Sequence, residues 1–380
     1  MACRRAVRSP RRGRVAVERT VRRVVLAGGG TGGHFYPALA VAEVLRSRDP
    51  GIELTYIGTS KGAEVGLAAQ HGLAYTSVAA GQVRGKSPLR IASSLGRIAL
   101  GSFTALSRLG GVDVVFATGG YASVPVISAA WARRVPSVVF LPDVEPGWAV
   151  RSTIGMAKRV AVSNDAALSA LPRSKSLVTG YPVRSRFFDI DRTTARRDLG
   201  LPADDKIILI SGATLGSLAI NQAVFSVLED LLRMAHVIHS TGADHLADAE
   251  ARGCDLPGPL AERYHPHAFI DDMAAAMHAA DLGLMRSGAS VLGEVPAAGL
   301  PSVFVPGRFA GGHQRANAEA LARAGAGVVL DAPEPRRILT LVGGLLADDE
   351  KRAGIAAAAK ALARPDAAQE LADIVMESAR

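Results

Sequence analysis

The stretch Val24-Val-Leu-Ala-Gly28-Gly-Gly-Thr31-Gly32-Gly33-His34 decides how this chain reads. Val24 to Ala27 is a short apolar run of the kind found in strands buried on both faces. Glycines follow at 28, 29, 30, 32 and 33, and Pro37-Ala-Leu-Ala-Val-Ala-Glu-Val-Leu45 then reads as a helix. A strand, a glycine loop and a helix start aim free backbone N–H groups at one point, which suits a phosphate. This loop also carries a hydroxyl, Thr31, and an imidazole, His34, groups that can do chemistry as well as bind. Its spacing is not the G-x-G-x-x-G dinucleotide fingerprint, which weighs against a dehydrogenase.

Working outward, short Val/Ile/Leu runs alternate with helix-like stretches. Strands are predicted over Val24–Ala27, Glu53–Ile57, Val112–Ala117, Ser137–Leu141, Arg159–Val162 and Ser176–Thr179. A second set covers Lys206–Ser211, Val237–Ser240, Ala268–Ile270, Leu282–Met285, Ser302–Val305 and Gly327–Leu330. Continuous apolar strands alternating with helices mean parallel sheets covered on both sides. Between the sets, 180–192 has no clear period and reads as a linker. The chain is therefore expected to be α/β, with two doubly wound domains facing a cleft. Their limits are placed at 24–184 and 185–364. Pro365 interrupts the Ala-rich end, which leaves 365–380 as a C-terminal helix able to pack back on the first domain.

The net charge of +9 is concentrated at one end. Residues 1–23 hold nine Arg against one acid, Glu18, and read as a basic, disordered arm. The arm lacks the apolar core of an export signal. Attraction to anionic lipid is its functional reading; with no interleaved aromatic, nucleic acid is not an expected partner. Two cysteines, Cys3 and Cys254, are too few for a disulfide framework or a zinc site. No apolar run reaches the ~18–20 residues of a membrane span.

The second domain repeats the opening device. After Lys206–Ser211 comes Gly212-Ala-Thr214-Leu-Gly-Ser217, a candidate diphosphate cradle. A third glycine turn, Thr118-Gly119-Gly120-Tyr121-Ala-Ser123, follows Val112–Ala117. Arg286-Ser287-Gly288 leaves another strand end, and Glu294 lies about two helical turns on, where a carboxylate could accept both hydroxyls of a ribose. Taken alone, Glu294 reads first as a solvent-facing helix acid. His313, Gln314 and Asn317 form a polar segment suited to sugar hydroxyls. Asp189-Ile-Asp191 matches a metal-nucleotide pattern but sits in the linker, and no other cluster has metal-ligand spacing. No metal and no cofactor are expected; backbone dipoles would stabilise a leaving diphosphate instead.

These residues together resemble the glycosyltransferase family 28 enzymes that move N-acetylglucosamine from UDP onto an undecaprenyl-diphosphate-linked muramoyl-peptide. The resemblance runs from about Val24 to Arg380. It rests on GGGTGGHFYPALAVAEVL, HGL at 71–73, VRGKS at 83–87, DVVFATGGYAS at 113–123, GYPVR at 180–184, LGSLAINQ at 215–222, FIDDMAAA at 269–276 and RSGAS…GEVPAAGLPSVFVP at 286–306. The chain departs from the family pattern at Phe140-Leu-Pro-Asp143, where H-E-Q-N is usual, at His313-Gln314, where two Gln are usual, and at Thr214, where Ser is usual.

The resemblance implies the glycosyltransferase-B fold, inversion at the anomeric carbon and no essential metal. It places Thr31, Gly32, Gly33, Arg184, Thr214, Ile270, Arg286, Ser287, Gly288, Glu294, His313, Gln314 and Asn317 around UDP and its sugar. Ile270 would pack on the uracil. Gly119, Gly120 and Tyr121 fall on the acceptor side. His34 is the first candidate for the base that takes the acceptor C4 proton, and Asp143 the second. Implied partners are UDP-N-acetylglucosamine, the lipid-linked acceptor and the cytoplasmic face of the cell membrane. Two alternatives remain: a related transferase with another UDP-sugar or lipid acceptor, and a non-catalytic nucleotide-sugar-binding protein.

Overall fold

The computed structural model describes residues 21–29, 32–62, 64–81, 87–307 and 312–379. The basic arm to Thr20, Thr31, the VRGKS motif up to Lys86, and loop residues 308–311 lie outside the described residues.

Two parallel sheets form the framework. The first has strands β1 (Arg23–Ala27), β2 (Glu53–Gly58), β3 (Ala74–Ser77), β4 (Val114–Ala117), β5 (Ser137–Leu141), β6 (Arg159–Val162) and β7 (Ser176–Val178), in the order β3-β2-β1-β4-β5-β6-β7. The second has β8 (Ile207–Ser211), β9 (His236–Ser240), β10 (Tyr264–His267), β11 (Leu282–Met285), β12 (Ser302–Phe304) and β13 (Val328–Val329), in the order β10-β9-β8-β11-β12-β13. Alternate residues of each strand serve opposite faces. Leu26, Phe116 and Phe140 pack on one side of the first sheet, and Val25, Ala27, Val115 and Val139 on the other. The first of these cores continues through Tyr181 and Leu371 to Ile207 and Leu209 of the second sheet.

Strand order reverses between β1 and β4 in one sheet and between β8 and β11 in the other. Such switch points open a crevice at the carboxyl ends of the strands. The segments after β1, β4, β8 and β11 are the glycine loops and the Arg286–Gly288 turn singled out in the sequence.

The predicted strand Ala268–Ile270 is corrected: these residues are loop, and β10 precedes them at Tyr264–His267. Tyr-His-Pro-His lacks an apolar run, and Pro266 is tolerated because β10 is a sheet edge, where the missing N–H costs no ladder bond. The edge strand β3 was not anticipated either; none of its four residues is fully buried. The segment 180–192 includes one turn of helix, Arg186–Asp189. At the C-terminus, helices Asp349–Ala361 and Ala367–Ser378 flank Pro365. The last helix packs on the first-domain helix Gly32–Arg48 and is tied there by Arg48–Asp373 at 2.6 Å and by Lys158 Nζ donating to the Ser378 carbonyl at 2.9 Å.

Candidate active site

The helix after β1 starts at Gly32, earlier than Pro37, so Gly32, Gly33 and His34 occupy its first turn. Backbone N–H groups of a first turn have no acceptor within the helix and remain available to an anion. Pro37 has no N–H to give the carbonyl four residues back, at Gly33. The Tyr181 hydroxyl donates to that carbonyl instead, at 3.4 Å. The linker between the sheets is thereby bonded to the first glycine loop.

His34 is half-buried, and its Nδ1 lies 2.8 Å from the Thr118 carbonyl oxygen. A carbonyl only accepts, so Nδ1 carries the proton and the neutral ring keeps its lone pair on Nε2. Thr118 Oγ1 in turn donates to the His34 carbonyl. The turn after β4 thus orients the imidazole by its backbone. Gly120, at φ +76°, crosses the first loop so closely that a Cβ there would meet the Gly29 carbonyl at 2.1 Å. Tyr121 stands beside this crossing on the wall of a cavity with Thr59 and Arg90.

Facing these elements is the loop after β8. A Cβ on Gly32 would lie 2.8 Å from Thr214 Oγ1, which places the two glycine loops in contact across the cleft. Ala213 holds φ at +67°, a left-handed conformation costly for a residue with a Cβ. Ser217 caps the following helix, Leu218–Phe225, and accepts from Arg286 Nη2 at 2.7 Å. Arg286 Nη1 donates to the Val305 carbonyl at 3.1 Å. The Arg286 guanidinium therefore braces the loop against the end of β12.

Glu294 is buried in the first turn of Val291–Ala298. Burial pushes its carboxyl above the ordinary range; a Ser290 hydrogen bond and the charge of Arg184 pull it partly back. Arg184 is half-buried and lies 4.8 Å from the centre of the Tyr36 ring, a cation–π contact. Arg184, Glu294 and Tyr36 thus form one electrostatic group in the cleft. Ile270 is buried in the loop before Met273–Ala279, whose cap is Asp272.

Asn317 is fully buried and bridges the domains: Nδ2 donates to Asp143 Oδ1 at 2.9 Å and to the Ser287 carbonyl at 3.2 Å, and Oδ1 accepts from Val144 N at 3.0 Å. Its amide is occupied by protein partners. Gln314 Oε1 accepts from Gly307 N at 2.7 Å, and the Gln314 carbonyl accepts from Ser287 Oγ at 2.7 Å. His313 opens the helix His313–Arg323 and faces Gly147 across the cleft. Gly288 is half-buried in the turn before Ser290.

The chain matches the N-terminal domain of glycosyltransferase family 28 over residues 24–162 and the C-terminal domain of that family over residues 207–373. This chain belongs to glycosyltransferase family 28. Within the family it is 37% identical over 368 residues to the UDP-N-acetylglucosamine–N-acetylmuramyl-(pentapeptide) pyrophosphoryl-undecaprenol N-acetylglucosamine transferase of Desulforudis audaxviator, covering 93% of this chain and 97% of the relative. The transferase of the same name from Mycolicibacterium smegmatis is 36% identical over 380 residues, 94% of each chain. Among solved structures, MurG of Acinetobacter baumannii superposes with a TM-score of 0.71 at 28% identity, covering 94% of this chain and 99% of that one. A UDP-GlcNAc 2-epimerase from Neisseria meningitidis, at 14% identity, TM-score 0.65 and coverage of 93% and 100%, shares the fold alone.

Sequence reasoning missed Tyr36, Thr118, Tyr181 and Ser217 as supports of the family 28 cleft. Tyr36 and Thr118 lie inside motifs already quoted, one residue or two from His34 and Gly119. Their partners come from distant elements, which spacing along the chain does not reveal. Glu64 was missed as well: it is fully buried behind the first loop, with Oε1 accepting from Thr59 N at 3.1 Å and Thr59 Oγ1 at 2.8 Å.

Proposed function

We infer that the cleft transfers N-acetylglucosamine from UDP-N-acetylglucosamine to the C4 hydroxyl of an undecaprenyl-diphosphate-linked muramoyl-peptide. The chain is a hexosyltransferase of peptidoglycan synthesis. In our reading His34 Nε2 takes the C4 proton as the acceptor oxygen bonds to the anomeric carbon. The bond from that carbon to the diphosphate oxygen breaks, UDP leaves with the electron pair, and the configuration inverts. Thr31, Thr214, Arg184 and the N–H groups of Gly32 and Gly33 would receive the diphosphate charge. Glu294 would hold the ribose diol, Ile270 the uracil, and Ser287, Gly288, His313 and Gln314 the donor side. Arg286 and Asn317 would act by bracing that side.

The observation that carries this reading is the His34–Thr118 bond, which leaves the Nε2 lone pair on the side of the cleft that faces the glycine loop around Thr214. The first domain, 24–184, would take the acceptor, and 185–364 the nucleotide sugar. Attachment to the cytoplasmic membrane face is supported by exposed Leu95, Leu100 and Phe103 on Pro88–Arg108 and Trp131 on Ser123–Ala132. No described helix is long and apolar enough to cross a membrane.

The test is a transfer assay with UDP-N-acetylglucosamine and a synthetic lipid-linked muramoyl-peptide. Formation of the disaccharide is expected. Faster transfer from another UDP-sugar, or tight UDP binding with no transfer from any donor, would overturn the assignment.

A further inference from the structure

Behind the glycine loop that follows β8 runs a buried chain of polar groups whose hydrogen bonds all point one way. It starts at the Thr241 carbonyl, in the turn after β9. A carbonyl only accepts, so the Asn221 amide faces it with Nδ2, at 2.8 Å. Asn221 Oδ1 is thereby turned to His239 Nε2, at 3.1 Å, and that oxygen requires the nitrogen to carry the proton. His239 Nδ1 is left as an acceptor, and the Tyr264 hydroxyl donates to it at 3.0 Å. Asn221, His239 and Thr241 are fully buried. Burial pushes the imidazole down to about 3, so the ring is neutral at physiological pH, as this order of donors demands.

The chain ends against the loop. The Thr241 oxygen that accepts from Asn221 is also the atom on which the loop rests, because a Cβ on Gly216 would run into it. A Cβ on Gly242 would lie 2.5 Å from the Leu215 carbonyl oxygen. Gly216 holds φ at +75° and Gly242 at +88°, so the two turns meet backbone to backbone. Within the loop the Gly216 N–H donates to the Ala213 carbonyl at 2.9 Å, and Thr214 between them faces Gly32 across the cleft. One side of this short loop therefore rests on Thr241 while the other presents Thr214 to the cleft. His239 itself lies in the interior, with its ring centre 5.7 Å from that of Phe225.

We propose that His239 is a positioning residue for the donor: by donating to Asn221 it locks the Thr241 turn, and with it the glycine loop around Thr214, in the shape that receives the diphosphate. This rests on the reading of that loop as the donor's diphosphate cradle. A loop fixed before its ligand arrives costs no ordering on binding, so the effect of His239 falls on the diphosphate. Ile270 and Glu294, proposed to hold the uridine, stand on other elements.

The test uses the full chain and the variants His239→Leu, His239→Gln and Tyr264→Phe. UDP binding is measured by calorimetry and uridine binding by NMR titration. His239→Leu removes the proton given to Asn221 and should weaken UDP by about 5- to 10-fold, the scale of one neutral hydrogen bond. Uridine affinity should stay at the wild-type value, which also reports that the variant is folded. His239→Gln, whose amide N–H can stand in for Nε2–H, should recover most of the loss. Tyr264→Phe, which takes the donor from Nδ1, should show the same split between UDP and uridine on a smaller scale, and it carries the test if His239→Leu does not fold. In the wild type, 15N spectra of His239 should place the proton on Nε2 at neutral pH. A proton on Nδ1, wild-type UDP affinity in His239→Leu and Tyr264→Phe, equal losses for UDP and uridine, or a Gln variant no better than Leu would each overturn the proposal. Wild-type chain that binds uridine as tightly as UDP would instead overturn the cradle reading of the loop, whatever the variants do.

Discussion

The imidazole Nδ1 of His34 and the carbonyl oxygen of Thr118 are 2.8 Å apart, although the two residues belong to different glycine turns. The bond sets the tautomer of the ring, and the carbonyl cannot be removed by a side-chain substitution. His34 is thereby presented with Nε2 free, in the first turn of a helix whose N–H groups favour an anion nearby.

His34→Ala should lower kcat by about 10²- to 10⁴-fold, the usual contribution of a positioned general base. UDP affinity should stay near wild type. Asp143→Asn, which keeps the shape that Asn317 holds, should cost far less. If UDP binding collapses in His34→Ala while kcat at saturation barely moves, the residue serves the phosphate and not the proton.

Glu294 should couple UDP binding to pH. Burial raises its carboxyl, so the folded ligand-free protein holds this proton more tightly than the unfolded chain. By linkage its effect on stability grows less favourable as pH rises from the unfolded value through the raised one. Glu294→Gln should accordingly raise Tm at neutral pH. Glu294→Ala should weaken UDP binding by roughly one to two orders of magnitude, from the loss of about 1.5–3 kcal/mol in charged hydrogen bonds. Calorimetry that finds the same UDP affinity in both variants as in wild type would remove Glu294 from the ribose.

Transfer should persist in excess EDTA. Asp191, half of the one metal-like pattern in the sequence, caps the helix Arg192–Asp198 by accepting from Thr194 N at 2.8 Å. Complete loss of activity in chelator, restored by magnesium or manganese, would return Asp189 and Asp191 to the site.

Ala213→Gly should relieve the left-handed strain at φ +67°. The gain expected is about 1 kcal/mol, or ~2–4 °C in Tm for a domain of this size. A lower Tm would show that the alanine methyl packs well enough to outweigh the strain.

The alternation of apolar strands and helices determined two doubly wound domains without any help from tertiary contacts. Burial on both faces of a parallel sheet writes itself into the sequence as continuous Val/Ile/Leu runs, and glycine loops after such runs mark the strand ends where ligands bind. Edges were less legible: β10, with Tyr264-His-Pro-His267, has one neighbour and so few demands on its residues. Pairings across the cleft were not legible at all. His34 with Thr118, Tyr36 with Arg184, Tyr181 with Gly33 and Asn317 with Asp143 join residues that lie far apart or in different domains. Asn317 shows the difference most clearly. From its place in a polar segment it reads as a sugar contact, yet folding buries it and commits its amide to Asp143, Val144 and Ser287. A local pattern can determine that a side chain is polar and near a strand end. Only the packed chain decides which partner satisfies it, because a buried polar group must bond to whatever the fold brings within reach.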